Sequence, residues 1–286
     1  MSALPLPGLI DRFIETLKSQ QKSAFTIVAY KKDLQQFVGY LTGAEKTDIS
    51  EVKKEDVEGF INKLLADGYT KKSASRKLNS IRTFFRFLKN ESIIGQNPSL
   101  DVSHPKYTHT PPRILTKMEY RALRDIAKED PRTYAMVEIL LQTGIKIGEL
   151  ACIHLDDIKP STLKIRSYGK SPEREVPLNK LAKKSVDDYL RARGQSGGDF
   201  CFITRTGRPV LIRNIRQIIS KCFTDVGIEK ATVNDLRNTF IAHQLMNGAS
   251  LEYIAKVVGH RRLSSTERYL SLVKNEAEKK EKLGQL

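Results

Sequence analysis

One segment without helical or strand periodicity constrains the fold most, because it divides the 286-residue chain. The sequence from Ile94 to Pro112, IGQNPSLDVSHPKYTHTPP, contains four prolines, which fix φ and remove backbone hydrogen-bond donors. Since domains usually hold about 100–200 residues, a chain of this length suggests two of them. We therefore predict a first domain over residues 1–95, an extended linker over 96–112 and a second domain over 113–286.

The first domain is predicted to be all helical. Four segments repeat apolar residues at helical spacing: LIDRFIETLKSQ, SAFTIVAYKKDLQQFVGYL, KKEDVEGFINKLLADG and KKSASRKLNSIRTFFRFLKNE. Ser23 precedes the second segment as an N-cap, and Gly68 follows the third as a helix stop.

The second domain is predicted to be mostly helical with a small antiparallel sheet, which makes the whole chain mainly α (α+β). Thr116 and Glu119 form a capping-box pattern, and a buried helix PRTYAMVEILLQTG ends at Gly144. The segment STLKIRSYGKSPEREVPL predicts two strands around a turn, and FCFITRTGRPV predicts a further short strand and turn. After Leu211 we expect helices in LIRNIRQIISKCF, TVNDLRNTFIAHQLMNG, SLEYIAKVVG and STERYLSLV.

The chain is strongly basic, with 49 Lys and Arg against 33 Asp and Glu and a net charge of +16. Such a surplus indicates a polyanionic partner, most often nucleic acid, although a membrane surface or simple solubility would also explain it. No apolar run approaches the roughly 18 residues of a membrane span, and no signal-peptide pattern is present. Cys152, Cys201 and Cys222 are too isolated for a zinc site or a disulfide framework. We expect a cytoplasmic protein with reduced thiols and no membrane association.

Two stretches carry basic residues without acidic ones. Seven lie between Thr70 and Asn90. On a helical wheel of this segment, the basic face lies opposite an apolar arc of Leu78, Ile81, Phe84, Phe85 and Leu88. Five more lie between Phe200 and Thr224. A solvated surface usually mixes charge signs, so phosphate contact is favoured over simple hydration. The candidate DNA-binding residues are Lys72, Arg76, Arg82, Arg86, Arg205, Arg208, Arg213 and Arg216.

Common hydrolytic and nucleotide-binding signatures are missing from the sequence. There is no glycine-rich phosphate loop, no Gly-x-Ser-x-Gly elbow and no histidine pair with metal-ligand spacing. Asp156 and Asp157 are adjacent, but they do not supply an evident ligand set for two metal ions. We therefore predict no metal and no cofactor.

Four motifs occur in an order that is typical of one family. They are TGIKIGEL after a buried helix, YGKSPEREVPL, TVNDLRNTF and VVGHRRLSSTERYL. Lys146 precedes Lys170 by 24 residues, Arg237 precedes His260 by 23, and His260 precedes Tyr269 by 9. With these motifs and the SAFTIVAYKKDLQQFVGYL segment, nearly the whole chain resembles the tyrosine recombinases, that is, phage-type integrases and Xer-type recombinases.

The resemblance implies phosphoryl transfer without a metal ion or ATP. Tyr269 corresponds to the nucleophile, which attacks a DNA phosphate to give a 3′-phosphotyrosine and a free 5′-hydroxyl group. Arg237 corresponds to the second family arginine, whose planar fork binds two phosphate oxygens. His260 corresponds to a phosphate-contacting residue, and Lys170 to the general acid. Glu149 corresponds to a supporting acidic residue, although an exposed helical glutamate explains it equally well.

Two positions depart from the family pattern. Lys146 stands where the family has its first arginine, so the charge is kept but the two-pronged fork is lost. Asn234 stands where the family has a histidine, and asparagine cannot carry a proton at neutral pH. Losing one transition-state donor typically slows a reaction about 100- to 1,000-fold. We expect slowed or conditional cleavage.

The resemblance also implies double-stranded DNA as the partner and a cytoplasmic, nucleoid-associated location. Family members act as four protomers on two DNA sites, so a homotetramer or an assembly with a related recombinase is expected. Three hypotheses stay open. The chain is an active recombinase, a catalytically silent DNA-binding protein derived from one, or a basic protein that does not bind DNA.

Overall fold

A computed structural model describes residues 6–108, 110–193 and 198–273. The chain divides into two compact units, residues 1–109 and 110–286, each with its own hydrophobic core. We call them the N-terminal unit and the C-terminal unit. The predicted mainly helical fold with a small antiparallel sheet is confirmed over the described residues. The domain bounds at residues 95 and 113 stay a prediction, and the division falls between them.

The N-terminal unit contains helices in all four segments where periodicity predicts them. These are α1 (Leu6–Ser19), α2 (Ala24–Gly43), α3 (Lys54–Ala66) and α4 (Lys71–Asn90). The Ser23 hydroxyl accepts a hydrogen bond from Thr26 N at 3.2 Å, so the predicted N-cap of α2 is confirmed. Gly68 follows α3 with a φ of +84°, which ends the helix at little cost for a residue without Cβ.

Helix α4 supplies the centre of the N-terminal core. The apolar residues that were expected on one arc of α4 are all fully buried, namely Leu78, Ile81, Phe84, Phe85 and Leu88. The centre of the Phe84 ring lies 5.5 Å from the centre of the Phe13 ring on α1. The centre of the Phe85 ring lies 6.1 Å from the centre of the Phe37 ring on α2. Burial of each such ring contributes about 1.5–3 kcal/mol, so this arc fixes how the helices pack.

The chain that follows α4 is held against it by Arg82. The Arg82 guanidinium donates from Nε to Ser99 O at 3.1 Å and from Nη2 to Val102 O at 2.6 Å. Its Nη1 lies 2.7 Å from His104 Nε2, and the other ring nitrogen lies 2.9 Å from Ser75 Oγ. The first part of the segment predicted as a linker therefore packs on the N-terminal unit.

The C-terminal unit is mostly helical. Its elements are α5 (Lys117–Ala127), α6 (Pro131–Thr143), α7 (Ile147–Ala151), β1 (Thr162–Ile165), β2 (Arg174–Pro177), α8 (Lys180–Arg193), α9 (Ile212–Asp225), α10 (Val233–Met246), α11 (Leu251–Val258) and α12 (Ser264–Glu267). The predicted capping box is confirmed, since Thr116 Oγ1 accepts from Glu119 N and Glu119 Oε2 accepts from Thr116 N. Gly144 ends α6 as predicted, with a φ of +63°.

Strands β1 and β2 form the predicted antiparallel hairpin. Leu163 pairs with Val176, and both side chains are fully buried in the core. The chain turns back between Tyr168 and Ser171, where each backbone N–H donates to the other residue's carbonyl. The Tyr168 ring lies against Gly148 in α7, where an added Cβ would lie only 2.4 Å from the ring. This contact brings the hairpin to the N-terminal end of α7.

Three parts of the C-terminal unit differ from the expected elements. Within STERYLSLV the helix α12 ends at Glu267, and Arg268 and Tyr269 form a turn. The FCFITRTGRPV segment forms no strand and takes part in two isolated bridges, one between Ile203 and Pro209 around a turn and one between Phe200 and His154. Pro209 lacks the N–H that would extend the first into a ladder. Helix α8 was not predicted, although Ala182, Val186 and Tyr189 recur at helical spacing and are buried. Its exposed face contains many lysines and aspartates, so the three apolar residues do not stand out as a helical repeat in the sequence.

Among the residues that the structure describes, no helix is long and apolar enough to cross a membrane. The same residues hold no group of three or more His, Cys, Asp or Glu side chains placed to bind a metal ion. All three cysteines are free thiols.

Candidate active site

Arg237 on α10 lies at the centre of the candidate site. Its side chain is buried, with the residue only 5% exposed, and its guanidinium is held by two backbone carbonyls. Nη1 donates to Gly144 O at 2.6 Å, and Nη2 donates to Val258 O at 2.8 Å. These carbonyls belong to the ends of α6 and α11, which helix geometry leaves without intrahelical partners. Arg237 therefore joins the turn that leads to Lys146 and the turn that leads to His260.

Burial lowers the pKa of Arg237 to about 10, and the positive charge of Arg174 acts in the same direction. The Glu149 carboxylate opposes this shift. At neutral pH the guanidinium is still protonated, so it can bind an anion.

Lys146 is the N-cap residue of α7 and follows Gly144 by two positions. Its Nζ donates to Ser171 Oγ, 2.5 Å away, at the end of the hairpin turn. Burial of the ammonium group lowers the Lys146 pKa, and the charges of Arg237 and Arg174 lower it further. The residue as a whole remains exposed, which leaves it accessible to a ligand.

Glu149 is fully enclosed in the site and does not lie on an exposed helix face. Its Oε2 accepts from Lys146 N at 2.8 Å, and its carboxylate forms a two-pronged ion pair with Arg174 on β2. Burial would raise the Glu149 pKa, but the hydrogen bonds from Arg174 and Lys146 lower it overall. The carboxylate is therefore ionised, and it fixes the start of α7.

His260 follows Gly259, which ends α11 in a left-handed conformation with a φ of +70°. The ring Nδ1 lies 2.8 Å from Thr266 Oγ1 on α12. Burial lowers the His260 pKa to about 4, and the charges of Arg237 and Lys146 add to the shift. The imidazole is therefore neutral at pH 7, with one ring nitrogen able to donate a hydrogen bond.

Tyr269 lies two residues beyond α12 and is only 4% exposed. Its hydroxyl donates to Asn238 Oδ1 at 2.7 Å, and Asn234 Nδ2 donates to the same oxygen at 3.3 Å. Burial raises the Tyr269 pKa, while the charges of Arg268 and Arg237 oppose that shift. The hydroxyl is therefore protonated in this state. Its acceptor, Asn238, is the residue directly after Arg237 on α10.

Lys170 is placed apart from these contacts. It is exposed at the hairpin tip, directly after Gly169, whose φ of +58° forms the turn. Its neighbour Ser171, and not Lys170 itself, makes the hydrogen bond to Lys146 that the structure describes. The structure thus brings together Arg237, Lys146, Glu149, His260, Tyr269 and Asn234, and it leaves Lys170 at the rim.

The sequence did not indicate four of the side chains that organise the site: Ser171, Arg174, Asn238 and Thr266. For Arg174 a signal was present. Strand alternation places it on the same face as Val176, which is buried, so an inward-pointing arginine needs an acidic partner. Ser171 and Asn238 have partners 25 and 31 residues away, which no local pattern identifies. Thr266 lies only six residues after His260, but the two residues belong to different elements.

The depressed pKa of His260 predicts a pH-dependent loss of stability. The unfolded chain binds this proton near pH 6.5, whereas the folded chain binds it only near pH 4. The free energy of unfolding is therefore expected to fall as the pH drops through this window, by at most about 1.4 kcal/mol per pH unit. Urea unfolding at pH 7 and pH 5.5 measures this difference in the free energy of unfolding. The difference should be smaller in His260→Gln, and an unchanged difference would show that His260 is not its source.

The basic residues predicted to bind DNA are not equally available. Arg76 pairs with buried Asp33 through its Nη1 and Nη2 atoms, at 2.5 and 2.8 Å, and Arg82 binds residues 99–104. Lys72 and Arg86 are exposed on α4, and no side-chain hydrogen bond or ion pair described for the unit involves them. In the C-terminal unit, the exposed candidates surround the turn before α9 and its first turns: Arg205, Arg208, Arg213 and Arg216.

Two protein family models match the chain. The model of the phage integrase family matches residues 113–276, and that of the phage integrase N-terminal SAM-like domain matches residues 10–92. The chain therefore belongs to the phage integrase family of tyrosine recombinases.

Among curated relatives, the tyrosine recombinase XerC of Thermodesulfovibrio yellowstonii is 33% identical over 276 residues, which cover 91% of this chain and 90% of the relative. The tyrosine recombinase XerD of Listeria innocua is 30% identical over 280 residues, covering 93% and 94%. Among solved structures, a lambda integrase dimer bound to a COC′ core site superposes with a TM-score of 0.79 at 17% identity, covering 93% of this chain and 77% of that chain. This last similarity shows the shared fold.

Proposed function

We propose that this protein is a site-specific recombinase that cleaves and rejoins duplex DNA through a 3′-phosphotyrosine intermediate. The observation that carries the proposal is the anchoring of Arg237 by Gly144 O and Val258 O. Through these two hydrogen bonds, a cationic fork is fixed next to Lys146, His260 and Tyr269, which come from separate elements. Membership in the phage integrase family supports the same conclusion.

Each residue has a distinct part in the proposed cleavage. The Tyr269 oxygen bonds to the scissile phosphorus as its proton passes to water, and the bond from phosphorus to the 5′-oxygen breaks with its electron pair left on that oxygen. Arg237 and Lys146 neutralise the non-bridging oxygens, and neutral His260 donates a hydrogen bond to one of them. Lys170 gives a proton to the departing 5′-oxygen. Rejoining is the reverse step with a different 5′-hydroxyl, so no nucleotide cofactor is required.

Attack requires a change at Tyr269. Its hydroxyl proton is held by Asn238 Oδ1 in this structure, so the hydroxyl must exchange that hydrogen bond for contact with the phosphate. A neutral amide oxygen is a weak acceptor compared with a phosphate anion, and the exchange is therefore favourable once DNA is bound. Asn234 donates to the same Asn238 oxygen, so it can orient that acceptor, but it cannot accept the hydroxyl proton.

Double-stranded DNA is the proposed substrate and partner. Lambda integrase has been solved as a dimer on a core site and as a tetramer bound to a Holliday junction. By analogy, we propose that four copies of this chain, or copies together with a related recombinase, act on two DNA sites.

A second candidate function rests on Lys146 and Asn234. Lysine cannot hold two phosphate oxygens in one plane, and asparagine cannot shuttle a proton. Both substitutions favour a protein that occupies recombination sites without cutting them.

A suicide substrate separates the two functions. A duplex nicked beside the cleavage position loses a short fragment after cleavage, so religation is impossible and the covalent complex accumulates. We expect a protein–DNA adduct that survives denaturing electrophoresis and forms equally well in EDTA. Tight binding without an adduct after long incubation would favour the silent DNA-binding protein.

Salt dependence tests the proposed backbone contacts on α4. Replacing both Lys72 and Arg86 with alanine is expected to lower the slope of log K against log salt by about 2, because each residue releases about one counterion. Fluorescence anisotropy at 50–200 mM salt would measure the slope. Arg82→Ala is the contrast, since Arg82 makes internal hydrogen bonds and its loss should lower thermal stability instead. An unchanged slope in the double variant would remove α4 from the DNA interface.

A further inference from the structure

Arg174 makes an unusually complete set of contacts for a strand arginine. Its side chain is 7% exposed. Nη1 and Nη2 donate to the two Glu149 oxygens at 3.0 and 2.8 Å, and Nε donates to Val257 O at 2.7 Å. All three nitrogens of the guanidinium are therefore used within the protein, and little of it is left to reach DNA.

Each contact of Arg174 lies beside a residue of the proposed site. The Glu149 carboxylate that it binds also accepts from the backbone N–H of Lys146. Val257 lies three residues before His260, and a Cβ added at Gly259 would lie 2.9 Å from the Arg174 Cζ atom. Arg174 itself follows the turn that carries Lys170. One side chain thus contacts α7, the end of α11 and the hairpin.

We propose that Arg174 is a positioning residue that sets Lys146, His260 and the Lys170 hairpin in their mutual arrangement. The inference rests on the proposed recombinase function for its catalytic meaning. The planar fork matters because two parallel hydrogen bonds fix the Glu149 carboxylate in direction, while Nε fixes Val257 O on another side. A lysine at this position keeps the charge but cannot make all three contacts.

A merely structural ion pair is the competing explanation, and the chain offers a matched control for it. Arg124 on α5 pairs with fully buried Glu138 on α6 at 2.5 Å. This pair also links two elements of the C-terminal unit, but none of its described contacts involves the proposed catalytic residues. Arg174→Lys and Arg124→Lys therefore each replace the arginine of an ion pair to a buried glutamate, at two different places.

The test compares these two variants in the full chain. On the suicide substrate at saturating protein, Arg174→Lys is expected to lower the single-turnover rate of adduct formation about 10- to 100-fold, because misplacing catalytic groups costs this much. Its DNA affinity should stay unchanged. Arg124→Lys should leave both quantities unchanged, even where its melting temperature falls equally. Equal rate losses in the two variants would overturn the proposal.

Hydrogen–deuterium exchange gives a readout that does not depend on cleavage. Arg174→Lys is expected to speed exchange of the amides of residues 146–150 and 257–260, and Arg124→Lys is not. If wild-type protein forms no adduct, the proposed function fails, while exchange still decides whether Arg174 positions these segments. Unchanged exchange at both segments would overturn the inference, whether or not the protein cleaves DNA.

Discussion

Tyr269→Phe is expected to abolish covalent attachment to the nicked substrate completely while leaving duplex affinity unchanged. The substitution removes only the hydroxyl oxygen that would bond to phosphorus, and the buried ring keeps its packing. The lost hydrogen bond to Asn238 Oδ1 lowers the free energy of unfolding by only about 0.5–1.5 kcal/mol. Because Asn234 Nδ2 still donates to that oxygen, Asn238 is not left unsatisfied.

Tyr253 provides the control for this substitution. It lies on α11 and is 52% exposed, outside the hydrogen bonds of the candidate site. Denaturing electrophoresis should show a wild-type level of adduct for Tyr253→Phe and none for Tyr269→Phe. Adduct formation by the Tyr269 variant would show that a different side chain attacks the DNA.

The second large expected effect is an increase in the rate of adduct formation. Replacing Lys146 with arginine is expected to speed adduct formation about 100-fold or more, since one fixed transition-state donor contributes this much. In the structure, Lys146 Nζ donates a hydrogen bond to Ser171 Oγ. An arginine can keep that hydrogen bond while a second nitrogen reaches a phosphate oxygen. Asn234→His should also raise the rate, by about 100-fold or more, because it restores a group that can carry a proton.

The two gains are not expected to multiply, because groups within one site act together. Single-turnover rates of both single variants and the double variant would measure the coupling. Lys128→Arg is the matched control, since it makes the same change at the exposed end of α5, where the ammonium group pairs with Asp125. If neither substitution at the site raises the rate, these two departures are not what limits cleavage.

Much of the fold follows from local patterns in the sequence. Apolar spacing predicts which face of α4 is buried, and Gly144 and Thr116 mark helix ends correctly because caps depend on neighbouring residues. Helix α8 was not predicted from the sequence, because only three apolar residues define its buried face.

Polar contacts were harder to predict, for a physical reason. Periodicity places Arg82 on the polar face of α4, but it does not show that the chain beyond α4 returns to bind it. The partners Arg237 and Gly144 are 93 residues apart, and Tyr269 and Asn238 are 31 apart. Such pairs form only after tertiary packing has placed their elements. Motif resemblance therefore indicated the site residues, whereas the structure supplied the hydrogen bonds that hold them.

In the proposed recombinase, Tyr269 becomes covalently bonded to a DNA phosphate. The most direct measurement is mass spectrometry of the adduct after nuclease and protease digestion. We expect the peptide that contains Tyr269 to carry a nucleotide joined through its 3′-phosphate to the phenolic oxygen. A nucleotide on any other residue, or full duplex binding with no modified peptide, would contradict it.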